Sequence, residues 1–210
     1  MNILVIAPHP DDESIGCGGA ICLHQERGDR TVVVCLTSGE LGLKRLSRGR
    51  ARRVREGEAR RAASILGVAG VRFLRQPDWT LGEHPAEAIR ALREILREEK
   101  PSLIYVPHKD EWHPDHQAAG RILRRALGGR RKWPELRAYE VWTPLPEHDR
   151  VEDISRVMSR KLRALRAHRS QLAEFDYARA VIGLNAFRGA LVAKCRYAEV
   201  FQTLAREDKA

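Results

Sequence analysis

Short aliphatic runs alternate with helical segments along the first half of the chain, and this alternation limits the fold more than any other feature. Ile3 to Ala7, Thr31 to Leu36 and Leu103 to Val106 are almost wholly apolar, and Val71 to Leu74 is a shorter run of the same kind. A strand that is apolar at successive positions buries both of its faces, as strands do in a parallel sheet covered by helices. Ser14 to Arg27, Ala51 to Leu66, Pro85 to Glu99 and Pro114 to Leu127 have helical periodicity. Gly67, Pro101 and Gly128-Gly129 stop the last three. A fifth strand is expected at Ala138 to Thr143, and covering helices at Ile154 to Ala167 and Ala178 to Leu191. The order predicts an α/β fold: a Rossmann-like, doubly wound, mainly parallel sheet of order 3-2-1-4-5 with helices on both faces.

The 210 residues, 43% of them hydrophobic, can bury one sizeable core, and no Gly/Ser/Pro-rich linker divides them. One domain over residues 1–210 is expected. The chain opens on a strand rather than a leader and has no long charge-free apolar run, so it is expected to be cytoplasmic, with no transmembrane segment. Cys17, Cys22, Cys35 and Cys195 show no paired metal spacing and read as small buried hydrophobes in a reducing compartment. The net charge of +10 is concentrated between Lys44 and Arg61. Nucleic-acid binding would want aromatic residues among the basic ones, and aromatics are only 6% of the chain. No nucleic-acid partner is expected. A solvated helix face, with some attraction for an anionic substrate or membrane surface, accounts for the charge.

Two motifs carry the chemistry. Ala7-Pro8-His9-Pro10-Asp11-Asp12-Glu13 follows the first strand, and His113-Pro114-Asp115-His116 follows the fourth. In a sheet of order 3-2-1-4-5, strands 1 and 4 are neighbours where the winding reverses, and ligands bind beyond their carboxyl ends. Residues about 100 apart in sequence can therefore converge. Pro10 and Pro114 suit a first helical turn, with His9 and His113 entering each helix and Asp11, Asp12 and Asp115 in the first turn.

Two histidines and a carboxylate with positions open for water form a catalytic metal arrangement, and zinc suits these ligands. Hydrolysis needs in addition a base near the water and a group that steadies the oxyanion or protonates the leaving amine. Asp11 and Asp12 can divide base and ligand, and His113 and His116 can divide acid and ligand; spacing leaves the division open.

The APHPDDE and HPDH pair resembles the signature of the LmbE-like, or PIG-L, zinc-dependent de-N-acetylases, which remove acetyl groups from N-acetylglucosaminyl compounds. The similarity extends through Gly16-Cys17-Gly18-Gly19, Thr37-Ser38-Gly39-Glu40, Arg55 with Glu58, Lys161 to Gln171 and Tyr197 to Phe201. The resemblance implies that His9, Asp12 and His116 ligate Zn2+ or another divalent metal such as Fe2+, and that Asp11 is the general base. It further implies His113 as acid or oxyanion stabiliser, Asp115 tuning it, and Arg55 contacting sugar hydroxyls. The implied partner is a small-molecule N-acetylated sugar, and relatives often form homo-oligomers, trimers or hexamers. Family branches differ two residues before His113, where this chain has Glu111. Zinc and a helix start are expected to hold the Asp11 carboxyl low.

His108 reads as a hydrogen-bonded loop residue, the Gly16 to Gly19 run as tight packing of the first helix, and Trp79, Trp112 and Trp142 as packing residues that could also stack on a sugar. Loops around Asp78 to His84 and Arg130 to Glu135 are expected to select the group attached to the sugar. Two rival classes are an iron oxygenase with a two-histidine, one-carboxylate site and a non-catalytic sugar- or nucleic-acid-binding module. The first is disfavoured by the α/β pattern and the second by Asp11, since a binding module needs no base. Hydrolysis of another amide is the nearer alternative.

Overall fold

In the computed structural model, which describes residues 1–129 and 131–206, the aliphatic runs form the centre of the sheet. Strands β1 (Asn2–Ala7), β2 (Arg30–Thr37), β3 (Gly70–Gln76), β4 (Leu103–Pro107) and β5 (Glu135–Tyr139) are parallel and lie in the expected order 3-2-1-4-5. Their continuous apolar character follows from burial on both faces. Ile3, Val5 and Tyr105 join one core cluster, while Leu4, Ile6, Ile104 and Val106 join another across the sheet. The four side chains Ile3 to Ile6 are essentially fully buried, and each burial of this kind is worth about 1.5–3 kcal/mol.

Helices α1 (Asp12–Gly16), α2 (Gly18–Glu26) and α3 (Arg48–Leu66) follow in the first half of the chain. The first cluster takes in Ile21 of α2 and Leu66 of α3, together with Leu165 of α6 (Met158–Leu165). Leu92 of α4 (Ala86–Glu99) and Ile122 of α5 (Pro114–Leu127) belong to the second. The chain continues through α7 (Arg169–Leu172) and α8 (Tyr177–Arg188) to a π-helical turn at Gly189–Ala193. Among the described residues no helix is long and apolar enough to cross a membrane.

The sheet is wider than the hydrophobic pattern suggests. Strands β6 (Arg150–Asp153) and β7 (Ala198–Thr203) extend it to the order β3-β2-β1-β4-β5-β7-β6, with β7 antiparallel to both neighbours. The fifth strand ends at Tyr139, and α6 begins four residues later than the expected Ile154. Val141, Trp142 and Thr143 leave the sheet because their backbone N–H groups bond the Glu111 carboxylate, at 2.8, 3.0 and 3.2 Å.

The expected first helix is broken at Cys17. Glu199 of β7 accepts the N–H groups of Gly19 and Ala20 at the start of α2, at 2.8 and 2.7 Å. Lys161 of α6 completes the joint at 2.7 Å from Glu199, and both side chains are buried. The glycine run is needed for this close approach. A Cβ on Gly19 would lie 2.5 Å from Ile154 Cγ2, and one on Gly16 would lie 2.2 Å from the Tyr139 ring.

Candidate metal centre and cleft

The two motifs meet because β1 and β4 pair directly, Ile3 with Leu103 and Leu4 with Ile104. They enter their helices differently. Pro114 occupies the first turn of α5, and His113 caps that helix by accepting the Asp115 N–H at 3.2 Å through Nδ1. Pro10, expected in the same role, lies before the helix: α1 starts at Asp12, and Asp11 stands at its entrance with φ of 128°. A non-glycine residue at such an angle is strained and persists only where its surroundings hold it. Glu13 Oε2 accepts the Asp11 N–H at 3.2 Å, while the Asp11 carbonyl accepts from Ser14 and Ile15, both at 2.9 Å.

His9 Nδ1, Asp12 Oδ2 and His116 Nε2 form a nearly equilateral triangle, with sides of 3.2, 3.3 and 3.4 Å. Tetrahedral coordination with bonds of about 2.0–2.2 Å places donor atoms about 3.3–3.6 Å apart, so these three atoms fit a zinc-sized divalent ion. All three residues are buried. Burial works against ionised Asp12, but His116 and His9 outweigh it and hold the carboxyl far below its usual range. Ligand atoms of His9, His113 and His116, and of His9, Asp78 and Asp115, also gather within 4.8 Å.

Carboxylates fix the far side of each imidazole. Asp78 Oδ1 and Asp115 Oδ2 lie 3.1 and 3.2 Å from His9 Nε2. Asp115 is itself anchored by the N–H groups of Trp79 and Leu81, at 2.8 and 3.1 Å. Its carboxylate thus serves His9 and its charge also bears on His113, raising that ring's pKa, while its bond to the His113 ring runs through its backbone. Glu111 Oε2 lies 3.4 Å from His116 Nδ1. Burial pushes the Glu111 carboxyl up, yet His108, His116 and the Val141 N–H more than offset this and bring it down to about 2. Such outer carboxylates orient metal-binding imidazoles and raise their basicity. Glu111 is fully buried and does not line the cleft, so it offers no help to an oxyanion. His108 bonds Thr143 O at 2.7 Å, as a loop histidine should.

Two further groups face the cleft with their own chemistry. Burial, opposed by Arg55 and reinforced by Asp12, pushes the Asp11 carboxyl up to about 6. Burial and the adjoining positive imidazoles of His9 and His116 bring His113 down to about 4. Neutral His113, with Nδ1 accepting from the backbone, therefore carries its proton on Nε2. Arg55 is buried and committed within the protein. It donates to Pro10 O at 2.7 Å and Gly39 O at 2.9 Å, and lies 3.2 Å from Asp11 Oδ2. It therefore clamps the loop that presents Asp11.

These groups form the floor of a cleft of about 650 Å³. Trp79, Trp112, Trp142, Phe175 and Tyr177 build an aromatic wall, with ring centroids 5.3 Å apart for Trp112 and Trp142 and 5.4 Å for Trp142 and Tyr177. The loop after β2 contributes Leu41, Gly42, Lys44 and Arg45. Asp78 and Trp79 place one expected selectivity loop at the cleft. The other does not reach it: residues 131–134 precede β5 at the opposite end of the sheet, Glu135 begins that strand, and Arg130 lies outside the described residues. Phe175 and Tyr177 come from a segment with no motif of its own and had no expected role in the site, and Asp78, expected only in a selectivity loop, also faces His9.

A sequence profile described as "PIG-L: GlcNAc-PI de-N-acetylase" matches residues 4–127, which include both His-Pro-Asp motifs. The chain belongs to the PIG-L family. It is 34% identical over 186 residues to a Bacillus anthracis protein named as a probable N-acetyl-alpha-D-glucosaminyl L-malate deacetylase 2, with 82% of each chain covered. The N,N'-diacetylchitobiose deacetylase of Pyrococcus horikoshii has the same architecture, with a TM-score of 0.85 and 27% identity over 97% of this chain and 84% of that one. GalB, the 4-carboxy-2-hydroxymuconate hydratase of Pseudomonas putida, matches with a TM-score of 0.83 and 25% identity over 100% of this chain and 99% of its own. Architecture shared between deacetylases and a hydratase does not decide the reaction, so residues of the site must.

Proposed function

We propose that this PIG-L protein is a metal-dependent hydrolase that removes the N-acetyl group from a GlcNAc-containing small molecule or glycoconjugate. The donor triangle of His9, Asp12 and His116 with Asp11 beside it carries the reading. When bound, Zn2+ or another divalent ion such as Fe2+ supplies Lewis acidity to a water and to the acetamide carbonyl. Asp11 takes the proton of the attacking water and delivers it to the departing amine. Its burial supports this role, since a carboxylate raised toward neutral pH is a stronger base than a free one. His113 donates its Nε2 proton in a hydrogen bond to the carbonyl oxygen as negative charge grows there. Arg55 is a positioning residue for Asp11, Asp115 and Asp78 orient His9, and Glu111 orients His116. The aromatic wall offers faces for a sugar ring.

The test is acetate release by metal-loaded protein from a panel of N-acetylglucosaminyl glycosides, with Asp11→Asn in parallel. Release that falls by about 10²–10⁴-fold in the variant, while metal content stays unchanged, is the expected outcome. Hydration of an unsaturated hydroxy tricarboxylate without acetate release would move the assignment to the chemistry named for GalB.

A further inference from the structure

Asp11, Asp12 and Glu13 are three consecutive buried carboxylates. Asp11 faces Arg55, and Asp12 faces His9 and His116. Glu13 belongs neither to the donor triangle nor to the cleft lining, so the reaction gives it no part. Its oxygens are committed all the same. Oε2 accepts the Asp11 N–H at 3.2 Å, while Oε1 accepts from Ser14 Oγ at 2.8 Å and lies 3.5 Å from Nε2 of His168. His168 is buried as well. Its Nε2 also lies 3.5 Å from Ser14 Oγ, and its Nδ1 has no partner among the described residues. The ring therefore spends its polar contacts on Glu13 and Ser14.

The backbone shows what Glu13 restrains. The Asp11 carbonyl is fixed by the start of α1, whereas the Asp11 N–H has Glu13 as its acceptor. The bond between that nitrogen and Cα carries the φ of 128°. His9 lies on one side of this bond, and the Asp11 carboxylate with Asp12 on the other, so relaxation of φ turns the base relative to His9. His168 reaches Glu13 from the entrance of α7, which is tied in turn to α3. Glu58 of α3 accepts the Ser170 N–H at 2.9 Å and the Ser170 hydroxyl at 2.6 Å. Arg55, three residues before Glu58 on the same helix, faces the Asp11 carboxylate. One helix thus reaches both ends of Asp11, directly at the carboxylate and through Ser170, His168 and Glu13 at the N–H.

We propose that Glu13 is a positioning residue for the general base, holding Asp11 in its strained backbone conformation, and that His168 holds Glu13. The inference rests on the deacetylase reading above and assigns two buried groups that it leaves idle.

The experiment uses zinc-loaded protein and two readouts. The first needs no substrate: exchange of the Asp11 amide hydrogen, followed by NMR, should be at least about tenfold faster in E13A than in wild type, because the N–H loses its acceptor. The second is acetate release from an N-acetylglucosaminide, expressed per bound zinc. E13A should lower kcat by about 10–100-fold with KM little changed, as a displacement of about 1 Å at a reacting group does. E13Q keeps a carbonyl for the Asp11 N–H and should recover most of both losses. H168A should lower kcat by about 3–10-fold, and adding it to E13A should change nothing further, since it acts through Glu13.

Wild-type kcat per bound zinc in E13A overturns the proposal and leaves Glu13 a structural residue, whatever the loss of zinc or thermal stability. E13Q as poor as E13A, or an H168A effect that multiplies with that of E13A, overturns it too. Should E13A fail to fold, H168A decides: faster Asp11 exchange together with lower kcat supports the proposal, and the absence of either overturns it. No acetate from wild-type protein would sink the deacetylase reading. The hold on Asp11 would then be judged by exchange alone, kept if E13A and H168A both speed it and overturned if they do not.

Discussion

Replacing Lys161 by methionine removes one ammonium from the joint between α2, α6 and β7 while keeping most of the methylene stem packed against Gly18. In the native protein Lys161 Nζ lies 2.7 Å from Glu199 and 2.9 Å from Asn185 Oδ1. Lys161 is fully buried and Glu199 is 1% exposed, so water cannot replace the lost partner. Breaking a buried ion pair from one side costs about 3–5 kcal/mol. The Gly19 and Ala20 N–H groups still reach Glu199, which places the expected loss near the lower end, about 3 kcal/mol. For a chain of this size that is a fall in Tm of about 6–12 °C. Urea unfolding followed by far-UV circular dichroism reads the loss as a lower midpoint at unchanged slope. The double variant Lys161→Met with Glu199→Gln, which removes both charges, should be more stable than Lys161→Met alone. A loss below about 1 kcal/mol in the single variant, or a double variant less stable than the single one, would refute the reasoning that an uncompensated buried carboxylate sets the cost.

Two further outcomes follow from groups away from the cleft surface. Glu111→Gln should weaken metal affinity by about 10–100-fold, measured by competition with a chelator, because it removes the charge that faces His116 Nδ1; unchanged affinity would remove Glu111 from the metal centre. Burial, only partly opposed by Asp29, holds the His24 ring below its ordinary pKa, so the fold keeps it neutral while the unfolded chain takes up a proton. The stability it contributes is present above about pH 6.5 and is lost as pH falls from there toward the folded-state pKa. The advantage of wild type over His24→Gln in unfolding free energy should therefore narrow between about pH 7.5 and 5.5, and an advantage that widens would contradict this sign.

The centre of the sheet was legible because β1, β2 and β4 are buried on both faces and their sequences say so residue by residue. The outer strands were not. Most of β6 is exposed, and β7 carries an inward-facing Glu199 that makes sense only beside the α2 amides and Lys161, which lie far away in sequence. In the site, both motifs are local and each supplies several side chains, so their pairing was readable from strand order. Partners that depend on a third segment were hidden: Asp78 reaches His9 from the loop after β3, and Phe175 and Tyr177 close the cleft from the second half of the chain. The partners of Arg55 within the protein were hidden because the carboxylate and two carbonyl oxygens around it come from other segments of the chain. The upward push of burial on the Asp11 carboxyl was hidden for a similar reason, since desolvation depends on the packing above a helix start as well as on the start itself.

The antiparallel insertion of β7 between β5 and β6 also sets a timetable for synthesis. The outer edge of β5 emerges about 60 residues before the strand that covers it. At translation speeds of about 5–20 residues per second, that edge waits roughly 3–12 s with its backbone N–H and C=O groups unpaired. Unpaired edges invite other nascent chains, and charged side chains are a common defence. Glu135 and Arg137 alternate along β5 with Leu136 and Ala138, so this waiting strand carries both signs of charge on one of its faces.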